Sequence, residues 1–313
     1  MIEIVTGLLS GAVLAGGVLA LAALGEVLTE RAGVFNLGLE GLMALGAMTA
    51  IVTVAHAPSA PLGMLAAILV GLAVGMVFAA AVVLLRANQT LCGLALTIAG
   101  TGLSAALGRS YAGQPAKATF EAVAIPLLSD LPILGRAVFS QNLLVYVIWI
   151  VLPLALHALL YKTRHGINLR AVGESPSAAD AAGVPVTLIR FCYVTIGAGF
   201  AGAAGAYLTL AFVPSWSDGI TGGRGWIAVA LVIFAGYRPI NAAAGAFLFG
   251  LITSLGFIGQ ARNWPIPPAF LSMLPYLGTL AFMIAPVIAS RRLQRRLAAP
   301  AALGQAYFRD QRS

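Results

Sequence analysis

Charged residues are scarce in this chain of 313 residues. Lysine, arginine, aspartate and glutamate together make up 9% of it, whereas a soluble globular domain carries about 25%. Hydrophobic residues account for 60% of the chain, and the mean hydropathy is +0.96. The composition therefore excludes an ordinary soluble domain and indicates a protein that lies mostly within a lipid bilayer.

Residues that commonly carry covalent or metal chemistry are also few. The two cysteines, Cys92 and Cys192, both lie in apolar runs, so we expect neither a disulfide framework nor a metal site. The histidines at 56, 157 and 165 lie in separate regions, which argues against a membrane-embedded enzyme with clustered His, Asp or Glu. Because no phosphate-binding loop of the GxxxxGK(S/T) type occurs, the chain is not expected to hydrolyse ATP itself.

Long apolar runs dominate what is present. A run of about 18 or more apolar residues can cross a bilayer core of about 30 Å. Transmembrane β-barrels need shorter segments of alternating polarity, and none occurs here. The runs predict an all-α fold: a single transmembrane domain over residues 1–313, built as a helical bundle with about nine spans, within limits of 8 and 10. The predicted spans are 4–28, 37–54, 61–85, 90–108, 142–161, 190–213, 225–236, 241–258 and 270–290, of which the seventh is short.

Basic residues exceed acidic ones by 18 to 10, which gives a formal net charge of +8. They lie in short loops and in a tail at 291–313, so the positive-inside rule explains them better than nucleic-acid binding does. With that tail in the cytoplasm, 13 of the 18 lie on the cytoplasmic side. The distribution predicts an N-terminus outside and a C-terminus inside, and it requires an odd number of spans. The basic start of the tail is typical of a stop-transfer anchor.

A polar island interrupts the apolar pattern at residues 162–190. Ser175 is a good helix cap, Pro176 suits the first helical position, and Gly183 suits the position just after a helix end. These start and end signals predict a helix of about two turns with small side chains. Such a helix suits insertion into a groove on another protein. An ordinary amphipathic loop helix resting on the membrane is the alternative.

Two further segments carry polar side chains into the predicted spans. Near residues 29–50, Glu40 could cap helix N–H groups, pair with Arg31 or line a cavity, with a proton relay as a fourth possibility. Near 87–108, hydroxyl groups share one helix face, which indicates either a solute pathway or hydrogen bonding between helices. The residues predicted to line the pathway are Asn36, Glu40, Asn88, Gln89, Thr97, Thr101 and Ser104.

Four segments together are specific enough to suggest a family. They are TERAGVFNLGLEG (29–41), NQTLCGLAL (88–96), GINLRAVGESPSAADAAGV (166–184) and TGGRGWIAVALVIFAGYRP (221–239). In this order they resemble the permease subunit of a bacterial ATP-binding-cassette (ABC) importer of the branched-chain amino acid, ribose and nucleoside permease family. The similarity covers nearly the whole chain and lies closest to the simple-sugar/nucleoside branch.

The resemblance implies a type II-importer-like permease in the bacterial inner membrane, in contact with lipid. It implies three protein partners: a second permease subunit (homologous or identical), a cytoplasmic ATPase and an extracytoplasmic solute-binding protein. ATP would be used by the partner, so no cofactor or metal is expected on this chain. Residues 162–189 would form the coupling loop. Its expected ATPase-docking residues are Arg170, Gly173, Glu174, Ala179, Asp180 and Gly183.

The resemblance implies a class of solute and not one solute. A nucleoside is expected first and a simple sugar second. The family usually has Asn near the position of Thr97, so a pathway amide would be replaced here by a hydroxyl. An ion-coupled secondary transporter is the alternative function. It would need ionisable residues within the spans, and Glu40 is almost the only candidate.

Overall fold

The computed structural model describes residues 2–126, 128, 129, 131, 133–288 and 298–309. These residues are mostly helical and contain almost no strand, which confirms the all-α fold class. The helices are α1 (Ile2–Arg31), α2 (Leu39–His56), α3 (Ala60–Leu84), α4 (Gln89–Tyr111), α5 (Leu134–Val138), α6 (Leu143–Lys162), α7 (Arg164–Glu174), α8 (Pro176–Ala181), α9 (Val186–Phe212), α10 (Arg224–Phe234), α11 (Pro239–Ala261) and α12 (Pro268–Ile288). Two short strands, β1 (Ala122–Ala124) and β2 (Ser140–Asn142), pair antiparallel with Val123 opposite Gln141.

Seven helices in the described part of the chain are long and apolar enough to cross a membrane, so the predicted count of nine is wrong. These seven are α1, α2, α3, α4, α6, α9 and α11. The predicted span at 225–236 is α10, which has 11 residues and is only about 16 Å long, half a bilayer core. The predicted span at 270–290 corresponds to α12. The apolar part of this helix, Pro268–Ala281, is also too short to count as a membrane span.

Helix α1 forms the centre of the bundle. It is buried almost continuously from Ala12 to Glu30 and packs against α9, α10 and α11. Gly16 of α1 packs against the carbonyl of Ala246 on α11, and Gly250 of α11 packs against the carbonyl of Ala12 on α1. The backbones of α1 and α11 are therefore in contact. Small residues permit this close approach, so these intramembrane glycines are packing positions.

A second layer surrounds this centre. Helix α2 packs against α3, α4 and α9, and α3 packs along α9. The outer helices keep apolar side chains exposed, such as Leu91, Ile98 and Leu107 on α4. On a membrane protein these faces suit lipid or another apolar surface.

Two non-helical segments adjoin the bundle and position the site. The first, residues 32–38, connects α1 to α2 and is called the re-entrant segment below. The second, residues 213–223, precedes α10 and contains three glycines with positive φ at 219, 222 and 223. Irregular backbone inside a membrane protein persists only where protein or water satisfies its polar groups. The partners of these two segments are therefore the first place to look for a functional site.

The chain end is described only in part. Residues 298–309 lie against the helices of the polar island. The basic cluster predicted at 291–297 lies outside the described residues.

Candidate functional site

Helix α10 begins on a buried carboxylate. Both oxygens of Glu40 accept backbone hydrogen bonds, Oε1 from Gly223 N–H at 2.7 Å and Oε2 from Gly225 N–H at 2.6 Å. Glu40 thus satisfies donors that the first turn of a helix leaves unpaired, where negative charge is also favoured by the helix dipole. Capping of helix N–H groups was one of the arrangements considered for Glu40 from the sequence, and the structure shows it. Glu40 as part of a solute pathway remains a prediction.

The other end of α10 is held by Arg31. Its Nε donates to the carbonyl of Tyr237 at 2.9 Å and its Nη2 to that of Gly236 at 3.2 Å. Its guanidinium also lies 5.7 Å from the centroid of the Tyr237 ring. Arg31 and Glu40 therefore bind opposite ends of the same short helix instead of pairing with each other. No local sequence pattern indicated these contacts, because they join residues 183 to 206 positions apart.

Asn36 organises the turn of the re-entrant segment. Its side-chain oxygen accepts from Gly38 N–H at 2.9 Å, and its own backbone N–H donates to Glu26 Oε1 at 3.2 Å. Asn36, Glu26 and Glu30 are fully buried, with the two glutamates one turn apart on α1. These polar groups sit at the junction of α1, the re-entrant segment and α10.

The polar face of α4 meets the same segment. Gln89 accepts from Phe35 N–H at 2.8 Å, and the Thr97 hydroxyl donates to the carbonyl of Leu37 at 2.8 Å. About two turns further along, the Ser104 hydroxyl donates to the carbonyl of Ala44 on α2 at 2.9 Å. In this structure Gln89 and Thr97 therefore join α4 to the re-entrant segment, and Ser104 joins α4 to α2. Their contact with solute remains a prediction.

The remaining two predicted residues on α4 have local partners. Asn88 caps the helix by accepting from Leu91 N–H at 3.0 Å. Thr101 donates to the carbonyl of Thr97 on its own helix at 2.8 Å. Only some of the seven predicted pathway residues lie together. Asn36, Gln89 and Thr97 meet around the re-entrant segment, and Glu40 lies just beyond it.

The coupling loop folds as two helices, α7 and α8. Helix α8 starts at Pro176 and is followed by Gly183, whose φ of +82° and N–H bond to the Asp180 carbonyl end it. The predicted start and end of the helix are therefore correct, except that the side chain of Ser175 makes no capping hydrogen bond. Helix α7 was missed. Its start is signalled by Thr163, which accepts from Gly166 N–H at 3.1 Å.

The expected docking residues differ in exposure. Glu174 and Gly183 are exposed, Arg170 and Asp180 are half-buried, and Gly173 and Ala179 are buried. Gly173 packs on the carbonyl of Arg31, with no room for a side chain. The outward face of α8 is instead formed by Ser177, Ala178 and Ala181, which are exposed. A large side chain at Gly173 would disturb packing, whereas one at Ala178 would project into the surroundings.

Comparison with known proteins identifies the family. A family model described as the permease component of the branched-chain amino acid transport system matches residues 8–283. The chain belongs to this permease family. The match spans the re-entrant segment, the polar face of α4, the coupling loop and α10, which are the segments on which the resemblance was based.

Curated relatives of the permease are similar along most of their length. It is 40% identical to a putative glucose ABC transporter permease protein of Haloferax volcanii, over 97% of this chain and 98% of the relative. It is 33% identical to the guanosine ABC transporter permease protein NupQ of Bacillus subtilis, over 94% of each chain. It is 34% identical to a nucleoside ABC transporter permease protein of Lactococcus lactis, over 82% of this chain and 84% of the relative. No solved structure shows a significant match.

These findings confirm the resemblance to sugar and nucleoside ABC permeases. The chain is a multi-pass membrane protein and an ABC importer permease. Its relatives are transport permease subunits, and the family as a whole works with ATPases and solute-binding proteins.

Proposed function

We propose that this permease carries a nucleoside, or secondarily a simple sugar, into the cell and that a separate cytoplasmic ATPase supplies the energy. The observation that carries the proposal is the outward face of α8. It is a short, well-terminated helix with small exposed side chains, and it lies on the polar segment between the spans α6 and α9. Such a face suits insertion into a groove on a partner protein.

The choice of solute is supported by the relatives. Two of them are named for guanosine or nucleosides and one for glucose. All three are uncharged polar molecules, and none would require a fixed counter-charge in the permease. Hydroxyl and amide groups of α4, those of Thr97 and Gln89, contact the re-entrant segment, and the Glu40 carboxylate is bound by backbone N–H groups.

The proposed assembly contains two permease subunits, two ATPases and an extracytoplasmic binding protein. The second permease is a homologue or another copy of this chain. The exposed apolar face of α4, with Leu91, Ile98 and Leu107, supports contact with it or with lipid. We further propose the bacterial inner membrane, with the N-terminus outside and the C-terminus inside, on the strength of the Lys and Arg distribution.

The proposed mechanism is alternating access. ATP binding closes the ATPase pair, moves α8 and tilts the bundle around a cavity near the middle of the membrane. The half-length helix α10 and the re-entrant segment support this arrangement, because transporter sites are commonly built from broken helices near the midplane. ATP stays with the partner in this scheme, and the permease binds no cofactor.

The test replaces one exposed alanine on α8. We expect Ala178→Trp to abolish capture of the ATPase and to reduce uptake at least tenfold, because the indole fills the space that a groove would occupy. Ala178→Ser is the matched control, since serine keeps the small face, and we expect both activities to be retained. Tagged permease is purified from its native membrane, and uptake of guanosine, uridine, glucose and ribose is measured.

Normal capture and uptake with Ala178→Trp would refute the docking role of α8. The rival, an ion-coupled transporter, is tested in the same preparation. Purified chain alone, reconstituted in vesicles under a proton or sodium gradient, is expected to accumulate none of the four solutes. Accumulation without the ATPase would establish the rival function instead.

A further inference from the structure

The C-terminal segment 300–309, here called the tail strap, is bound to the coupling loop at its beginning. Ala302 N–H donates to the carbonyl of Gly173 at 3.0 Å, and Ala301 N–H donates to Glu174 Oε2 at 3.2 Å. Ala302 is itself 4% exposed. The sequence had indicated only a basic anchor here, whereas this part of the tail is fastened to the last turn of α7.

The middle of the tail strap reaches the re-entrant segment. Gly304 N–H donates to the carbonyl of Gly33 at 3.1 Å. Arg190, near the start of α9 and 3% exposed, donates from Nη1 to the carbonyl of Gln305 at 2.8 Å. The positive φ of Gly33 (+83°) brings its backbone against both Arg190 and Ala302. The strap thus lies between the coupling loop and the first residues of the re-entrant segment.

The end of the tail strap supports α8. Tyr307 packs on a small apolar cluster formed by Val172, Ala179 and Val186. Arg309 Nε lies 3.2 Å from Asp180 Oδ2, although the arginine side chain is 77% exposed. An exposed ion pair contributes little to stability. The packing of Tyr307 against the cluster that contains Ala179, the buried residue of α8, is therefore the main apolar attachment.

Helix α8 depends on such support. It has six residues, and an isolated helix of that length does not form in water. Its inward contacts are with α7, the start of α9 and the strap. Because the strap touches both α8 and Gly33 within six residues of chain, it gives α8 a short connection to the segment that carries Asn36 and leads to Glu40.

We propose that the tail strap is a positioning element that fixes α8 relative to Gly33, so that a movement of α8 is passed to the re-entrant segment. The inference rests on the proposed function, since it takes α8 as the element that the ATPase moves. The strap positions α8 and does not itself dock the ATPase. Without it, the ATPase binds and hydrolyses ATP, but fewer solute molecules cross per ATP.

The experiment compares Tyr307→Ala with Tyr307→Phe in the complete complex of permease, ATPase and binding protein in vesicles. We expect Tyr307→Ala to capture the ATPase normally and to hydrolyse ATP, while guanosine or glucose transported per ATP falls at least fivefold. Tyr307→Phe keeps the ring on Ala179, so its ratio stays within twofold of wild type. A chain ending after Ala299, which lacks the whole strap, should match or exceed the defect of Tyr307→Ala.

The outcomes separate the two proposals. Failure of the wild-type permease to capture an ATPase refutes the proposed function and the strap with it. Normal capture and an unchanged ratio of solute to ATP in Tyr307→Ala refute the strap alone. Loss of ATPase capture by Tyr307→Ala also refutes it, because the tail then belongs to the docking surface. If the shortened chain does not fold, the comparison of Tyr307→Ala with Tyr307→Phe tests the proposal.

Discussion

At the scale of single residues, Glu40 shows how this fold accommodates a carboxylate inside the bundle. An ionisable group at membrane depth is costly unless protein groups surround it. Glu40 is 6% exposed and receives two backbone N–H groups at the start of α10. The carboxylate and the helix therefore stabilise each other, and the acidic residue at the start of α2 has a structural role that does not require proton transfer.

This role predicts the effect of removing the carboxylate. Glu40→Ala leaves two buried N–H donors without acceptors, each worth about 1–3 kcal/mol. We expect the free energy of unfolding to fall by about 2–6 kcal/mol. Glu40→Gln, which keeps one oxygen acceptor and the side-chain size, should lie between Glu40→Ala and wild type. Thermal unfolding of the purified permease in detergent measures both.

The control is a carboxylate on the exposed loop. Glu121 is exposed, so Glu121→Ala should change stability by no more than about 0.5 kcal/mol. If Glu40→Ala unfolds at the same temperature as Glu121→Ala, the two hydrogen bonds do not hold α10.

At the scale of elements, α2 and α4 approach until their backbones touch. A methyl group at Gly100 would lie 2.7 Å from the carbonyl oxygen of Gly41, whereas one at Gly102 would have nothing within 4 Å. The two glycines are therefore a matched pair on one helix. The close approach lets the hydroxyls of Thr97 and Ser104 reach carbonyls across the interface.

The pair gives a prediction for helix packing. Gly100→Ala meets backbone atoms that cannot rotate away, so it should lower stability by about 1–3 kcal/mol. Gly102→Ala fills open space and improves helix propensity by up to about 1 kcal/mol, so it should be neutral or slightly stabilising. Unfolding temperatures and monodispersity in detergent are compared. Equal effects of the two substitutions would show that α2 and α4 do not pack as described.

The same elements show which parts of the fold the sequence could predict. Hydropathy located the seven long helices because each is apolar for at least 18 residues, and local punctuation located α8 from Pro176 to Gly183. Hydropathy failed at α10 because it measures apolar content and not where a helix breaks. The contacts of Glu40, Arg31 and the tail strap depend on tertiary packing between distant residues, which no local pattern encodes.

At the scale of the whole molecule, the described contacts join the coupling loop to the interior of the bundle. The tail strap links α8 to Gly33, the re-entrant segment continues to Asn36 and Leu37, and Glu40 holds the start of α10. Arg31 holds its other end. A rigid shift of the coupling loop would therefore act on α10 from two sides, which supports the proposed alternating-access mechanism.

The sidedness of the molecule yields the last prediction. Gln114 follows α4 and Ser177 lies on α8, and α6 crosses the membrane between them. The two positions must therefore face opposite sides. With Cys92 and Cys192 both replaced by serine, Gln114→Cys and Ser177→Cys each give a chain with one exposed thiol. An impermeant maleimide added to intact spheroplasts should label Gln114→Cys alone, and disruption of the membrane should expose Ser177→Cys.

The reverse pattern would place α8 outside, where no cytoplasmic ATPase could reach it, and would overturn the proposed orientation. Labelling of both positions in intact spheroplasts would instead show that α6 does not span. The experiment is informative because α10 and α12 do not enter into it. Whatever their depth, the single crossing by α6 fixes the side of the coupling loop relative to the loop after α4, and through it the side of the tail strap.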